Sequence, residues 1–258
     1  MSFDGLPIWA VLVASIGLVL LSIEIGVRLG KRRLLRTDGK LEVSGALVGA
    51  TMGLLAFMLA FTFNSASGRH DVRKSLVIEE ANAVEKTYLR AGFLAEPARA
   101  EIRGLLRDYV DLRVKLAASD LELTDGLRRS ETLHDKMWAV VLEVGQQNAG
   151  SITAGLFIQS LNEMIDLHLK RVTVDIRNRV PATIWITLYL LMTVGTVMIG
   201  VQVAQSGRRH YDIEFAVAIS FSLVLFLIAD LDRPQEGLIN VSQEAMTELQ
   251  SRLNRWEG

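Results

Sequence analysis

The sequence predicts an all-α integral membrane protein with four transmembrane helices and a helical extramembrane block between the second and third. Half of the 258 residues are apolar although 22% are charged. The apolar residues are concentrated in four long segments, and the polar middle has helical spacing with no alternating strand pattern. A membrane protein with a water-exposed part explains this mixture better than a large soluble core does.

Each predicted span follows from its length and its lack of charge. The first covers about residues 8–27, which is too long for the apolar core of a signal peptide, and no A-x-A-type cleavage site follows it, so we expect it to be retained. The second, at residues 43–63, reads VSGALVGATMGLLAFMLAFTF and has no charge, so it can cross a hydrocarbon core of about 30 Å. The third runs from Pro181, a favourable first helical residue, to about Ala204, and the fourth covers about residues 213–229.

These spans predict the domain organisation. We expect a first helix pair at residues 1–63, a helical extramembrane domain at 64–180, a second helix pair at 181–229 and a C-terminal tail at 230–258. Within the middle, the segment DLELTDGLRRSE from Asp120 is predicted as an exposed loop, and NAGSITAG from Asn148 as a second break.

Composition argues against several function classes. The net charge of -1 gives no polyanion signature, so we expect no nucleic-acid partner. The chain has no cysteine and only four scattered histidines, and it has no P-loop, G-x-S-x-G or H-E-x-x-H motif. We therefore expect no metal, no cofactor, no catalytic residues and no enzyme.

A row of residues four apart marks the second span. Gly45, Gly49, Gly53, Phe57 and Phe61 form one slanting ridge, because each step of four rotates by about 40° on a helix. The glycines are typical of a surface where membrane helices pack closely. The two phenylalanines either line a pore or face lipid and other helices, and periodicity alone does not decide between these.

Charges also gather where the fourth span ends. The segment ADLDRPQEGLI places Asp230, Asp232, Arg233 and Glu236 at the hydrocarbon boundary, where charges need partners or water. They either form an interfacial cap or act as a charged pore mouth or a hinge coupled to it.

Four separate segments resemble the bestrophin-like domain family of bacterial membrane proteins. They are AFTFNSASGRHDVRKSLVIEEANAVEKTYLRA from Ala60, RGLLRDYVDLR from Arg103, LNEMIDLHLKR from Leu161 and LIADLDRPQEGLI from Leu227. They occur in order over nearly the whole chain. More distantly, the four-span layout with a long helical middle is similar to that of the bestrophin anion channels.

The resemblance implies a homo-oligomeric, pentameric, anion-preferring channel in the inner (plasma) membrane, with the lipid bilayer and inorganic anions as partners. Phe57 and Phe61 match the Phe-x-x-x-Phe element of the bestrophin neck on the second span. Gly53 stands where a third bulky residue is expected, and Leu54 could replace it. The turn from Asp230 to Gly237 resembles the charged turn after the fourth span, without the calcium-binding acidic run of animal bestrophins.

Two questions stay open from the sequence. Lys and Arg residues in the two short loops weakly favour an extracytoplasmic middle, whereas the resemblance implies a cytoplasmic one. The alternative function is a non-conducting membrane scaffold or sensor whose helical domain binds a partner. In that case the glycine row serves only to pack spans.

Overall fold

The chain is all-α in the part that the structure describes. A computed structural model describes residues 7–36, 44–118, 121–147, 151–177, 179–233 and 237–256. These residues form the helices α1 (Ile8–Arg36), α2 (Gly45–Ala91), α3 (Ala98–Ala117), α4 (Leu123–Gln147), α5 (Ile152–Arg177), α6 (Ala182–Ser206), α7 (Tyr211–Asp232) and α8 (Glu244–Arg255). Four of them, α1, α2, α6 and α7, are long and apolar enough to cross a membrane. The predicted fold class is therefore confirmed.

The helices run further than the predicted spans. The helix α2 continues to Ala91, well beyond residue 63, because the polar residues that follow contain no proline and only one glycine, Gly68.

Pro181 is the residue before α6 and has an extended backbone with ψ of 140°, so it is not the first helical residue. Gly207, with φ of 65°, ends α6 in the left-handed conformation that glycine adopts without strain.

The predicted loop after Asp120 is mostly helix. Asp120 itself lies outside the described residues, but α4 begins at Leu123. The carboxylate of Asp125 forms ion pairs with Arg128 at 2.5 Å and with Arg129 at 2.7 Å. These polar residues therefore stabilise the first turns of α4. The second predicted break is also shorter, because α5 already begins at Ile152; Asn148 lies outside the described residues.

The chain divides into two compact units. Unit 1 comprises residues 1–70 and 179–240, and unit 2 comprises residues 71–178 and 241–258. The unit boundary falls within α2, whose apolar part belongs to unit 1 and whose polar part belongs to unit 2.

Unit 1 is built around a close contact between α1 and α6. A Cβ atom at Gly26 would overlap the carbonyl oxygen of Val197, and one at Gly200 would overlap the carbonyl oxygen of Ile23. Only glycine permits this approach, which is the packing mode expected for small residues between membrane helices. Buried apolar side chains from α1, α2, α6 and α7 complete the core, among them Val19, Leu55, Leu188 and Leu225.

Unit 2 is a group of helices around its own buried apolar core. Its largest fully buried apolar side chains include Tyr88, Ile102, Leu106, Phe157, Leu161 and Met164. The amphipathic helix α8 adds Met246, Leu249 and Leu253 to this core. Polar contacts hold α8 in place: Arg252 donates to Glu85 at 2.9 Å, and Gln250 donates to Asp111 at 2.7 Å.

Candidate functional site

The proposed neck residues lie on the apolar part of α2, and their side chains are exposed in the single chain. Phe57 is 66% exposed, Phe61 63% and Leu54 50%. Large apolar side chains are rarely left in water in such numbers on one helix. The face that carries them is therefore suited to lipid or to another protein surface.

The buried side of the same segment is narrow. Its buried residues are Val48, Leu55, Leu59, Thr62 and Ala66. They recur at intervals of three, four and seven and so form a single stripe along the helix. In the most apolar stretch of α2, 22% of the residues are buried, against 39% in each of the other three spans. Within one chain, α2 is thus the least covered membrane helix.

The predicted glycine row leaves space beside α2. A Cβ atom at Gly49 or Gly53 would meet no other atom within 4 Å, and one at Gly45 would meet only Nε2 of Gln202, at 3.2 Å. The close helix contacts of unit 1 use Gly26 and Gly200 instead. A packing role for the glycine row stays a prediction, and it would apply to contacts with another chain.

The end of α7 is organised by Asp230, which is fully buried. Its Oδ1 accepts the backbone N–H of Leu238 at 2.8 Å, and its Oδ2 accepts the backbone N–H of Ile239 at 2.9 Å. Gly237 has φ of 149°, and a Cβ atom there would overlap the carboxylate of Asp230. Both carboxylate oxygens therefore fold the following turn back onto the helix end.

Asp232 ties the same helix end to two other segments of unit 1. Its Oδ1 accepts the backbone N–H of Val180 at 2.8 Å, just before α6, and lies 3.9 Å from Nε of Arg69 on α2. Arg233 is also buried. Glu236 lies outside the described residues. The structure thus brings Asp230, Asp232 and Arg233 to one helix end, and their role at a pore mouth or hinge stays a prediction.

Unit 2 contains a second polar centre, which we call the Glu80 cluster. Its members share burial within the helical core: Glu80, Tyr109, Arg113, His134, His168 and Arg171. Oε2 of Glu80 accepts Nη1 of Arg171 at 2.5 Å and Nη2 of Arg113 at 3.4 Å. Arg171 also donates from Nη2 to Oε1 of Gln243 at 2.9 Å. One fully buried carboxylate thus joins α2 to α3 and α5.

The other oxygen of Glu80 fixes the protonation of its neighbours. It accepts the hydroxyl proton of Tyr109 in a short hydrogen bond, and Oη of Tyr109 lies 2.9 Å from Nδ1 of His168. Because Tyr109 has only one proton to donate, Nδ1 of His168 carries a proton and donates it to Tyr109. Burial raises the pKa of Tyr109 well above its usual value, so the phenol stays protonated.

Glu80 itself is ionised. Burial alone would raise its pKa. The charge of Arg113, hydrogen bonding by the His168 side chain and the charge of Arg171 together lower the pKa below its usual value. A buried ion pair of this kind depends on every partner, because removing one leaves an uncompensated charge.

His134 completes the cluster as a neutral ring. It lies edge-to-face against His168 with ring centroids 4.8 Å apart, and its centroid is 5.1 Å from that of Tyr109. Its Nε2 is buried and has no hydrogen-bond partner. Burial, and next the neighbouring His168, lower the pKa of His134 to about 4.

Sequence reasoning missed this cluster, although one signal was present. Glu80 falls on the apolar stripe of α2, four residues after Leu76 and four before Val84, with Tyr88 a further four along. A carboxylate inside a buried stripe indicates a buried partner. Arg113 and His134 gave no comparable sequence signal, because charged and polar residues between apolar ones are common on exposed helix faces.

The cluster does not resemble a metal site. In the part of the chain that the structure describes, no group of three or more His, Cys, Asp or Glu side chains is placed to hold a metal ion. The carboxylate of Glu80 is instead occupied by guanidinium and hydroxyl donors.

Comparison with solved structures supports the fold. A crystal structure of a bacterial bestrophin homolog from Klebsiella pneumoniae superimposes with a TM-score of 0.67 at 17% identity, covering 94% of this chain and 97% of that one. A crystal structure of a membrane protein gives a TM-score of 0.66 at 17% identity, covering 97% and 98%. At this identity the likeness concerns the fold alone. No curated protein matches the chain.

The family assignment rests on the sequence itself. Residues 11–246, nearly the whole chain, match the Bestrophin-like domain. The four spans, the helical middle and the matching solved structures agree with that assignment. The chain is a multi-pass membrane protein that belongs to the Bestrophin-like domain family.

Proposed function

We propose that the protein is a homo-oligomeric, pentameric ion channel of the inner membrane that prefers anions, with its neck on α2. The observation that carries the proposal is the exposure of Leu54, Phe57 and Phe61 on the least covered span. In a ring of identical subunits, the α2 helices would surround a common axis, and closed rotational symmetry would remove their exposed faces from lipid. No catalytic role is proposed.

The neck would conduct through apolar rings. Phe57 and Phe61 are one helical turn apart, so equivalent residues of several subunits would form two stacked rings about 6 Å apart along the axis. A narrow apolar ring resists wetting and so can close the pore. The edge of an aromatic ring carries partial positive charge, and edges that face the axis would favour inorganic anions over cations.

The helix end at Asp230 and Asp232 would act as the hinge of the channel. Asp232 contacts both Val180 before α6 and Arg69 on α2, so a change in this contact would reach the helix that carries the neck. The contact lies entirely within unit 1.

The test is ion flux through purified protein in liposomes under chloride and potassium gradients. We expect wild-type protein to pass chloride in preference to potassium, and Phe57→Ala with Phe61→Ala to raise the flux and loosen gating. Phe63→Ala is the matched control, because Phe63 is also exposed but is turned by about 120° from Phe57 and about 160° from Phe61.

Three outcomes would contradict the proposal. They are no flux through wild-type protein, a double variant that conducts as wild type, or an equal response in Phe63→Ala. Absence of flux together with a monomer or closed dimer would favour a scaffold or sensor instead.

A further inference from the structure

The exposed face of α2 continues past the two phenylalanines and changes character there. On a helix, Phe61 is turned by about 40° from Phe57, Asn64 by about -20° and Gly68 by about 20°. All four residues are exposed. The bulky apolar side chains of this face therefore end at Phe61, and the next two positions hold an amide and a glycine.

The opposite side of the same turns is packed. Thr62 and Ala66 are buried within unit 1, and they are turned by about 140° and about 180° from Phe57. Turning α2 so that Asn64 pointed into the core would expose both of these residues. The packing of unit 1 thus holds Asn64 on the uncovered face, in line with the phenylalanines.

The side-chain amide of Asn64 forms no hydrogen bond in the part of the chain that the structure describes. Its polar neighbours on α2 differ in this respect. The hydroxyl of Thr62 donates to the carbonyl oxygen of Met58 at 2.8 Å, and Oγ of Ser65 accepts Nη1 of Arg69 at 3.0 Å. The two N–H groups of the Asn64 amide are therefore free to bind something outside the single chain.

The depth of Asn64 makes lipid a poor neighbour. Asn64 is the twentieth residue of α2, about 28 Å along the helix from Gly45, and a hydrocarbon core is about 30 Å thick. An amide without a partner is costly in hydrocarbon, whereas an exposed phenylalanine is not. A face that carries Phe57, Phe61 and Asn64 in one line is better suited to an axis where water and ions pass.

We propose that Asn64 forms an ion-binding ring at one end of the neck, where its amide N–H groups bind the permeating inorganic anion. The inference rests on the channel proposed above. In a ring of identical subunits, the Asn64 side chains would follow the Phe61 ring by about 4.5 Å along the helix. An ion in a narrow apolar ring has lost part of its water, and the amide donors of Asn64 replace those hydrogen bonds as the ion leaves.

The test measures the chloride-to-potassium permeability ratio and the chloride flux of the purified full chain in lipid bilayers. Asn64→Asp replaces the donors with a negative charge and should lower the ratio by about tenfold or more. Asn64→Leu adds a third apolar ring without donors and should lower the chloride flux by about fivefold. Asn64→Gln keeps the amide and should keep the wild-type preference.

The matched control is Asn254→Asp, which makes the same change at an exposed position of α8 in unit 2 and should keep the wild-type ratio. An unchanged ratio in Asn64→Asp, or an equal shift in Asn254→Asp, would overturn this inference and leave the channel proposal standing. No flux through wild-type protein, or a wild-type preference for potassium, would overturn both. Unchanged helix content by circular dichroism and unchanged oligomer size show that the variants are folded.

Discussion

The two halves of α2 show opposite relations between polarity and burial. In the apolar half, large side chains such as Leu47, Phe57 and Phe61 are exposed. In the polar half, the charged side chains of Arg73 and Glu80 are among the most buried residues of unit 2. If water were the only solvent, the large apolar side chains would be buried and the charged ones exposed. The comparison indicates that the apolar half meets lipid or protein, whereas the polar half is stabilised by specific partners.

The difference also predicts how each half responds to mutation. In unit 2, a single charge holds several buried partners, so its loss leaves them without compensation. In unit 1, the closest contacts are between backbones, so added volume is the damaging change. Removing an exposed phenylalanine from the apolar half should leave the stability of the single chain nearly unchanged.

The largest effect is expected for Glu80→Leu. It leaves Arg113 and Arg171 buried without their carboxylate and should lower the free energy of unfolding by about 3–5 kcal/mol. Chemical unfolding followed by circular dichroism in detergent measures it. Glu79→Gln is the control, because the neighbouring Glu79 is exposed. If both variants unfold alike, the cluster does not stabilise unit 2.

A pH effect on His134 should come next in size. Its pKa is about 4 in the folded chain and near 6.5 when unfolded, so the unfolded state binds more protons between these values. The contribution of neutral His134 to stability should therefore be complete above pH 6.5. It should fall by about 3 kcal/mol as the pH drops to 4.

Other charged and titratable groups face His134, so the measurement needs a variant that isolates the contribution of His134. They are Glu80, Tyr109, Arg113 and His168. The stability of wild type relative to His134→Leu should fall as the pH falls from 6.5 to 4, since the variant has nothing to titrate at this position. His210→Gln, at an exposed position, should follow the wild-type profile. A pH-independent difference between wild type and His134→Leu would show that His134 does not titrate in this range.

A smaller effect is expected in unit 1. Gly26→Ala places a methyl group against the backbone of α6, which cannot move as a flexible side chain can, and should cost about 1–3 kcal/mol. Gly17→Ala on the same helix is the control, because no atom lies within 4 Å of the added Cβ. Thermal unfolding in detergent compares them. Equal melting temperatures would mean that α1 and α6 are not in such close contact.

Much of the fold could be predicted, because membrane spans depend on local composition. About 20 consecutive apolar residues are sufficient to predict each span, and the ion pair between Glu24 and Arg28 follows from spacing on one helix. The helix ends were harder to predict. Polar residues after residue 63 and after Asp120 suit both a loop and an exposed helix, so only the structure could distinguish the two.

The candidate site residues also differ in whether the sequence alone could predict them. Phe57 and Phe61 could be singled out from periodicity and resemblance, since they lie on one helix. The partners of Asp230 and Asp232 could not, because Val180 is distant in the sequence and the turn at Gly237 depends on a backbone conformation. The glycines that pack within the chain were not those of the conspicuous row.

The sequence by itself determined the class of this protein: four apolar spans, a helical middle and membership of the Bestrophin-like domain family. These properties are local, because helix formation and transfer into a membrane depend on short stretches of residues. Only the tertiary structure decided that Glu80 holds Arg113, Arg171 and Tyr109, and that the faces of α2 with Gly49 and Phe57 stay uncovered. Those outcomes depend on which helices meet, and the energy of a buried charge or a bare helix face is set by its neighbours in space.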